Sequence, residues 1–334
     1  MPNAALKPGK NGRDGQRGAA LMIVLLLVAT LAFIALSITE KTAVASARSY
    51  NERARSENLW RAFGAEILAG AALETAREAV PDKMSIDDPW AIEPLVVPME
   101  DGSAQIYFAD ATTCFNVNSL AESQATGTGP TPKDEFVLLV RNLGLGDFEG
   151  QRIADVITDW IDEDTSREAQ GAEDNYYTAL PSPYRSGGQR MATTSELRAL
   201  NGITSEIYTT LKPYLCAQDS PSPSPLNVNM LTARHAPLLA AVLGANITPS
   251  QAADLIAARP PGGYQTVAEF LTPDLTAGLG LAALDASRLK VVSQYIKAHA
   301  EIVYDTAVME VTSIFEVQPE GTVIVLRRRI GAEE

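Results

Sequence analysis

Histidine and cysteine are nearly missing from this chain of 334 residues, with two of each. His235 and His299 stand apart from any Cys or carboxylate spacing that resembles a metal or triad motif, so each reads as an ordinary surface or packing residue. Cys114 and Cys216 allow at most one bridge. Positive charge is also in deficit: the formal net charge is −14, which argues against nucleic acid or an anionic membrane surface as the partner of the bulk of the chain. Proline is absent from Ala19 to Val80, and charged residues are absent from Ala19 to Thr39. Without a breaker, one long helix can run through the first stretch. The second, about 31 Å long as a helix, matches the hydrocarbon thickness of a bilayer.

What is present ahead of that run sets its orientation. Lys7, Lys10, Arg13 and Arg17 stand against only Asp14 in residues 1–18, so the leader is expected to stay cytoplasmic and the bulk of the chain to be exported. Without the leader's charge of +3 the mature chain carries −17, an excess suited to hard cations. Two processing readings stay open. Ala43-Val44-Ala45 fits a secretory cleavage site. Gln16-Arg17-Gly18 before an apolar run instead resembles the type IV prepilin signal, in which a prepilin peptidase cuts after Gly18 and the helix is retained from Ala19. Most pilins and pseudopilins have glutamate at the fifth mature position, where this chain has Ile23. Outside the cytoplasm, an oxidising compartment favours one Cys114–Cys216 disulfide over two free buried thiols.

Residues 40–80 are rich in helix formers, with Trp60, Phe63, Ile67 and Ala71 spaced as a core stripe for packing on a sheet. Gly64 and Gly70 are expected to ease that approach, and Pro81 to stop the helix. Residues 81–103 read as an irregular connection and Ala104–Ala109 as a strand. A helix is expected from Ser287 to about Ala298. Strands are expected at Ile296–Tyr304, Ala307–Val317 and Thr322–Arg329, the last two joined by a turn at Gln318-Pro319-Glu320-Gly321.

An internal repeat lies between. Cys114-Phe115-Asn116-Val117-Asn118-Ser119-Leu120 is echoed by Pro225-Leu226-Asn227-Val228-Asn229-Met230-Leu231. In the same order, Ala154-Asp155-Val156-Ile157 is echoed by Ala253-Asp254-Leu255-Ile256, and Ser195-Glu196-Leu197 by Ala268-Glu269-Phe270. Two related helical units account for the ordered set. The second, residues 253–271, resembles a helix-hairpin-helix module, whose relatives hold nucleic acid. Arg259 is offset there by Asp254 and Glu269, which leaves a membrane-anchored DNA-binding or DNA-uptake protein as the alternative reading.

The first unit carries an acidic insertion, Asp159-Trp160-Ile161-Asp162-Glu163-Asp164 followed by Glu173-Asp174. Calcium takes six to eight oxygen ligands in flexible geometry. Asp162 and Asp164 can point the same way in an extended loop, with Glu173 and Asp174 closing from beyond a turn at Gly171. A mobile acidic loop without metal is the competing reading, and paired carboxylates for acid–base chemistry a third.

Taken together, QRGAALMIVLLLVA at 16–29, CFNVNSL at 114–120, DWIDEDTSREAQGAEDNYY at 159–177, SELRALNGIT at 195–204 and LNVNML at 226–231 resemble the general secretion pathway protein K family. These are the large minor pseudopilins of type II secretion. The resemblance implies an α+β pseudopilin fold: a long N-terminal helix on an antiparallel sheet, interrupted by a large helical domain with two helix-hairpin-helix-like units. Mapped onto this chain, that gives a cleaved leader at 1–18, the N-terminal helix at 19–80 with its transmembrane part at 19–39, core at 81–118, inserted domain at 119–295 with the acidic loop at 159–177, and returning strands at 296–334. It further implies calcium held by Asp162, Asp164, Glu173 and Asp174, processing at Gly18/Ala19 with methylation, and minor pseudopilins I and J, the prepilin peptidase and the inner membrane as partners. The implied role is a non-enzymatic subunit at the pseudopilus tip, spanning the inner membrane once with its C-terminal domain periplasmic. A Cys114–Cys216 bridge would join the start of the helical insertion to its first exit.

Overall fold

The structure, a computed structural model, describes residues 13–100, 102–122, 130–272, 276, 284–304 and 307–331. Most of the leader therefore lies outside the described residues. Helix α1 (Arg13–Ala79) is continuous through the proline-free stretch and stops before Pro81. Its portion up to Arg61 belongs to one compact unit. There every large apolar side chain from Leu21 to Ile38 is more than half exposed. Among the described residues the span beginning at Ala19 is the one helix long and apolar enough to cross a membrane.

The second unit begins at Ala62. In chain order it holds α2 (Pro89–Ile92), β1 (Leu95–Met99), β2 (Gly102–Asp110), β3 (Phe115–Asn116), α3 (Pro132–Asn142), α4 (Asp147–Ile161), α5 (Asp174–Tyr177), α6 (Ser205–Leu211), β4 (Leu215–Cys216) and β5 (Leu226–Asn227). It continues with α7 (Ala236–Leu243), α8 (Pro249–Ala257), α9 (Val267–Phe270), β6 (Leu289–Lys290), β7 (Tyr295–Tyr304), β8 (Ala307–Val317) and β9 (Val323–Ile330).

Five strands pair antiparallel in the order β1-β2-β7-β8-β9. Alternation puts Ala104, Ile106 and Phe108 of β2 and Ile296, Ala298, Ala300 and Ile302 of β7 into one core with Ala62, Ala65, Ala69 and Leu73 of α1. This shifts the expected stripe by two residues, close to the opposite face of the helix. Trp60 and Ile67 are each 71% exposed, Ala71 is exposed, and Phe63 is half-buried beneath the Arg328 guanidinium, 4.5 Å from its ring centre. Alanines let the backbone approach the sheet, whereas a row of Trp, Phe and Ile would hold it off. The expected glycines contribute little: Gly64 faces open space, and a Cβ on Gly70 would make ordinary contact with Phe315 at 3.5 Å.

Two short strands depart from expectation. β1 forms inside the stretch read as irregular, with Pro98 tolerated because the strand is an edge. The helix expected after Ser287 is a single 3-10 turn at Ala286–Arg288. It stops because Leu289 pairs with Leu226 and Tyr295 already belongs to β7.

The chain leaves the sheet after Asp110 and returns at Tyr295, so the insertion starts earlier than residue 119. Phe115, Val117 and Leu120 are buried in the helical core with Phe136, Leu139, Ile153 and Ile157. The repeat is visible as paired architecture. β3 lies parallel to β4 and β5 parallel to β6. The Asn-x-Asn motifs perform the same task twice. Asn116 Oδ1 accepts from Asn118 N at 3.2 Å, and Asn227 Oδ1 from Asn229 N at 3.0 Å. Asn118 then takes both backbone groups of Met191, at 2.8 and 3.0 Å, as Asn229 takes both of Tyr264, at 2.8 and 2.9 Å. Next to that second clamp Gly263 has φ +80° and a Cβ there would overlap the Asn229 carboxamide.

Candidate metal centre

Helix α4 buries Ile153, Val156, Ile157 and Trp160, and the same packing turns Asp155 and Asp159 inward. These two carboxylates, four residues apart on one face, are each 1% exposed. Asp155 is fully met: Lys133 Nζ lies 2.6 Å away, Gln170 N donates at 3.0 Å and Gln151 Nε2 at 3.1 Å. Burial works against the Lys133 ammonium, but its bonds to Asp155 and Glu168 outweigh that and hold its pKa above the ordinary value.

Beyond Lys133 the balance changes. Asp159 Oδ1 accepts from Glu168 N at 2.9 Å, while its Oδ2, Asp162 Oδ1 and Glu173 Oε1 are buried without a hydrogen-bond partner. One carboxylate oxygen from each of Asp162, Asp164 and Glu173 lies within 4.8 Å of the others. Burial, then repulsion from Asp164 and Glu173, pushes the Asp162 carboxyl up to about 7. Burial, then Asp159, raises Glu173, and burial raises Asp159. Buried acceptors with neither donors nor counter-charge are rare because they forfeit hydration without replacement. This arrangement fits a cation. Calcium–oxygen distances of about 2.3–2.6 Å put ligand oxygens up to about 5 Å apart, which the three carboxylates satisfy.

The structure brings together three of the four expected ligands and turns Asp174 elsewhere. Asp174 Oδ1 accepts from both the amide and hydroxyl of Ser186 at 2.8 Å, bonds that hold its pKa below the usual range. Adjacent to Glu173 in sequence, it occupies the first turn of α5 and faces away. Asp159 was missed; its signal is the position four residues after Asp155 on a helix face otherwise filled by apolar residues. Gly171 is tied to it, since a Cβ there would overlap Asp159 Oδ2. Trp160 and Tyr177, ring centres 5.3 Å apart, are buried beside these carboxylates in the chain.

The hairpin of the second unit has a different occupant from the one a nucleic-acid module would take. Gly262 N donates to Asp87 Oδ2 at 2.9 Å and Lys83 Nζ donates to Gly262 O at 2.7 Å. The hairpin amide that would receive a phosphate is bonded to the chain's own carboxylate. Cys114 and Cys216 form a disulfide across a sequence separation of 102.

Comparison with known proteins agrees with this architecture. Profiles for type II secretion system protein K match residues 113–220 and 226–292, dividing between β4 and β5 where the two related units meet. The type II secretion system protein K of Pectobacterium carotovorum subsp. carotovorum is 40% identical over 76% of this chain and 79% of its own length. The chain belongs to the type II secretion system protein K family. The Aeromonas hydrophila family member is 32% identical over 96% of this chain and 98% of its own length. Among solved structures, a chain of the GspK-GspI-GspJ complex from enterotoxigenic Escherichia coli aligns with TM-score 0.75 at 26% identity, covering 86% of this chain and 100% of that one. As a family member the protein is a minor pseudopilin of the type II secretion system, which displaces the DNA-capture reading.

Proposed function

We propose that this minor pseudopilin forms the tip of a periplasmic pseudopilus together with minor pseudopilins I and J, as a structural rather than catalytic subunit. The supporting observation is the alignment of 86% of the chain with a protein of the three-component GspK-GspI-GspJ complex. Ile67 and Leu68 of α1, 71% and 46% exposed, offer an apolar surface for a partner helix. The insertion between Asp110 and Tyr295 is too bulky to repeat inside a packed helical filament, which favours a terminal position. Ile23 favours it as well. A fifth-position glutamate neutralises the amine of the subunit above, and a tip subunit has none to meet.

In this reading the 19–39 span anchors the protein once in the inner membrane, with the leader cytoplasmic and the C-terminal domain periplasmic. Prepilin peptidase cuts between Gly18 and Ala19, and the new amine is methylated. Mass spectrometry of the mature N-terminus tests this: Ala19 is expected, and a start near residue 46 would overturn it. Failure of the chain to co-purify with I and J would count against the tip assignment.

Calcium is the ion proposed for the acidic site, held by Asp162, Asp164 and Glu173 with Asp159 behind them. Its positive charge replaces the counter-charge that the protein provides at Asp155 through Lys133 and leaves out here. All four ligand candidates are oxygen donors, the chemistry of a hard cation. A role in ordering the loop between α4 and Met191 follows. Chelation that leaves the melting temperature unchanged would refute a structural calcium site.

A further inference from the structure

We infer that the Cys114–Cys216 disulfide and the acidic site regulate one another: the closed bridge tightens calcium binding, and bound calcium protects the bridge from reduction. The inference rests on the calcium reading above. The connecting path is short and buried. The bridge holds β3 beside β4, where Asn116 pairs with Cys216. Asn116 Oδ1 accepts from Gln218 N at 3.1 Å, and its Nδ2 donates to Ser220 O at 2.7 Å and Ser222 O at 3.0 Å. Asn118, fully buried, donates to Gln218 O at 2.8 Å while holding both backbone groups of Met191. Met191 closes the segment that opens at Asp162. One carboxamide thus fastens Met191, downstream of the acidic loop, to Gln218, two residues past the strand that the disulfide secures.

The second unit serves as an internal comparison. It makes the same clamp, Asn229 on Tyr264, but has no cysteine and no acidic insertion. Bridge and insertion occur together, in the first unit alone. Opening the bridge removes the covalent tie between β3 and β4 and leaves residues 216–222 held to Asn116 and Asn118 by hydrogen bonds alone, so the loop's anchor loosens. Linkage is reciprocal, so whatever factor the bridge adds to calcium affinity, calcium adds to the resistance of the bridge. The redox step is ordinary thiol exchange. One external dithiol is oxidised to a disulfide as the Cys114–Cys216 bond is broken, and each cysteine sulfur takes up a proton.

The test uses the oxidised full chain in detergent. The bridge is equilibrated with dithiothreitol at a series of reduced-to-oxidised ratios, in calcium at about 1 mM, within the range of extracellular sites, and in chelator. Calcium is expected to raise the ratio that opens half of the bridges at least about fivefold, the lower end of typical coupling between sites, and the Asp162→Asn chain to lose that response while keeping its bridge. If calcium raises the melting temperature but leaves that ratio unchanged, the coupling is overturned and the metal reading stands. If calcium changes neither, the metal reading fails and the coupling with it.

Discussion

Replacing Asp162 by asparagine should move stability in opposite directions with and without calcium. In the metal-free chain burial, followed by repulsion from Asp164 and Glu173, pushes the Asp162 carboxyl up to about 7 from 3.8. At about 1.4 kcal/mol per pH unit, ionising it above pH 7 opposes folding by about 4 kcal/mol; because the group is partly solvated, screening reduces this to about 2 kcal/mol. Asparagine keeps the shape and removes the charge. Without calcium the variant should therefore melt above the parent, by about 4–8 °C for a folded body of this size. Calcium at about a hundred times its dissociation constant should add about 2.7 kcal/mol to the parent and little to the variant, reversing their order. The pH dependence has a fixed sign. A folded pKa raised above the unfolded one contributes stability that is complete below 3.8 and lost as pH rises through about 7. The gap between metal-free variant and parent should thus be widest above pH 7 and close near pH 4. Scanning calorimetry of the full chain, with chelator or calcium across that range, measures each arm. A metal-free variant less stable than the parent, or a variant with the parent's full calcium response, would refute the account of the site.

Three other outcomes follow from particular contacts. Gly171→Ala places a Cβ on Asp159 Oδ2 and should weaken calcium binding about tenfold or more in a calorimetric titration. An unchanged affinity would remove Asp159 from the site. Asn229→Ala leaves the buried amide and carbonyl of Tyr264 without their side-chain partner and should lower unfolding free energy by about 2–4 kcal/mol in urea; a loss below about 0.5 kcal/mol would deny the clamp its role. Ile67→Glu, on a residue 71% exposed, should leave the melting temperature within about a degree yet abolish co-purification with pseudopilins I and J, and intact co-purification would move the partner surface elsewhere.

Much of the fold was legible because one physical cause dominated each element. The proline-free stretch specified α1, alternation specified β2, and runs of β-formers around a Pro-Gly turn specified β8 and β9. The Asn-x-Asn repeat was visible since both copies satisfy backbone groups far away in sequence, a task that tolerates few substitutes. The buried face of α1 lies two residues along from the expected stripe because Trp60 and Ile67 are as apolar as core residues. Hydropathy alone does not separate a buried surface from one turned outward. β6 depends on a distant pairing partner, Leu226 opposite Leu289, whereas β1 pairs with the neighbouring β2 and its Pro98 hid it. At the acidic site the cluster itself was plain, but selecting Asp174 over Asp159 followed chain proximity. The burial of Asp159 on the α4 face and the two Ser186 bonds of Asp174 are tertiary facts.

The register of β2 against β7 has a mechanical consequence. Gly102 to Asp110 pair without interruption with Tyr304 to Ile296, so the strands that open and close the helical insertion lie side by side. Tension entering the sheet passes directly from one to the other through their ladder and bypasses the chain between Asp110 and Tyr295. On the proposed calcium reading, the acidic loop orders or loosens with its ion while the sheet bears the pull.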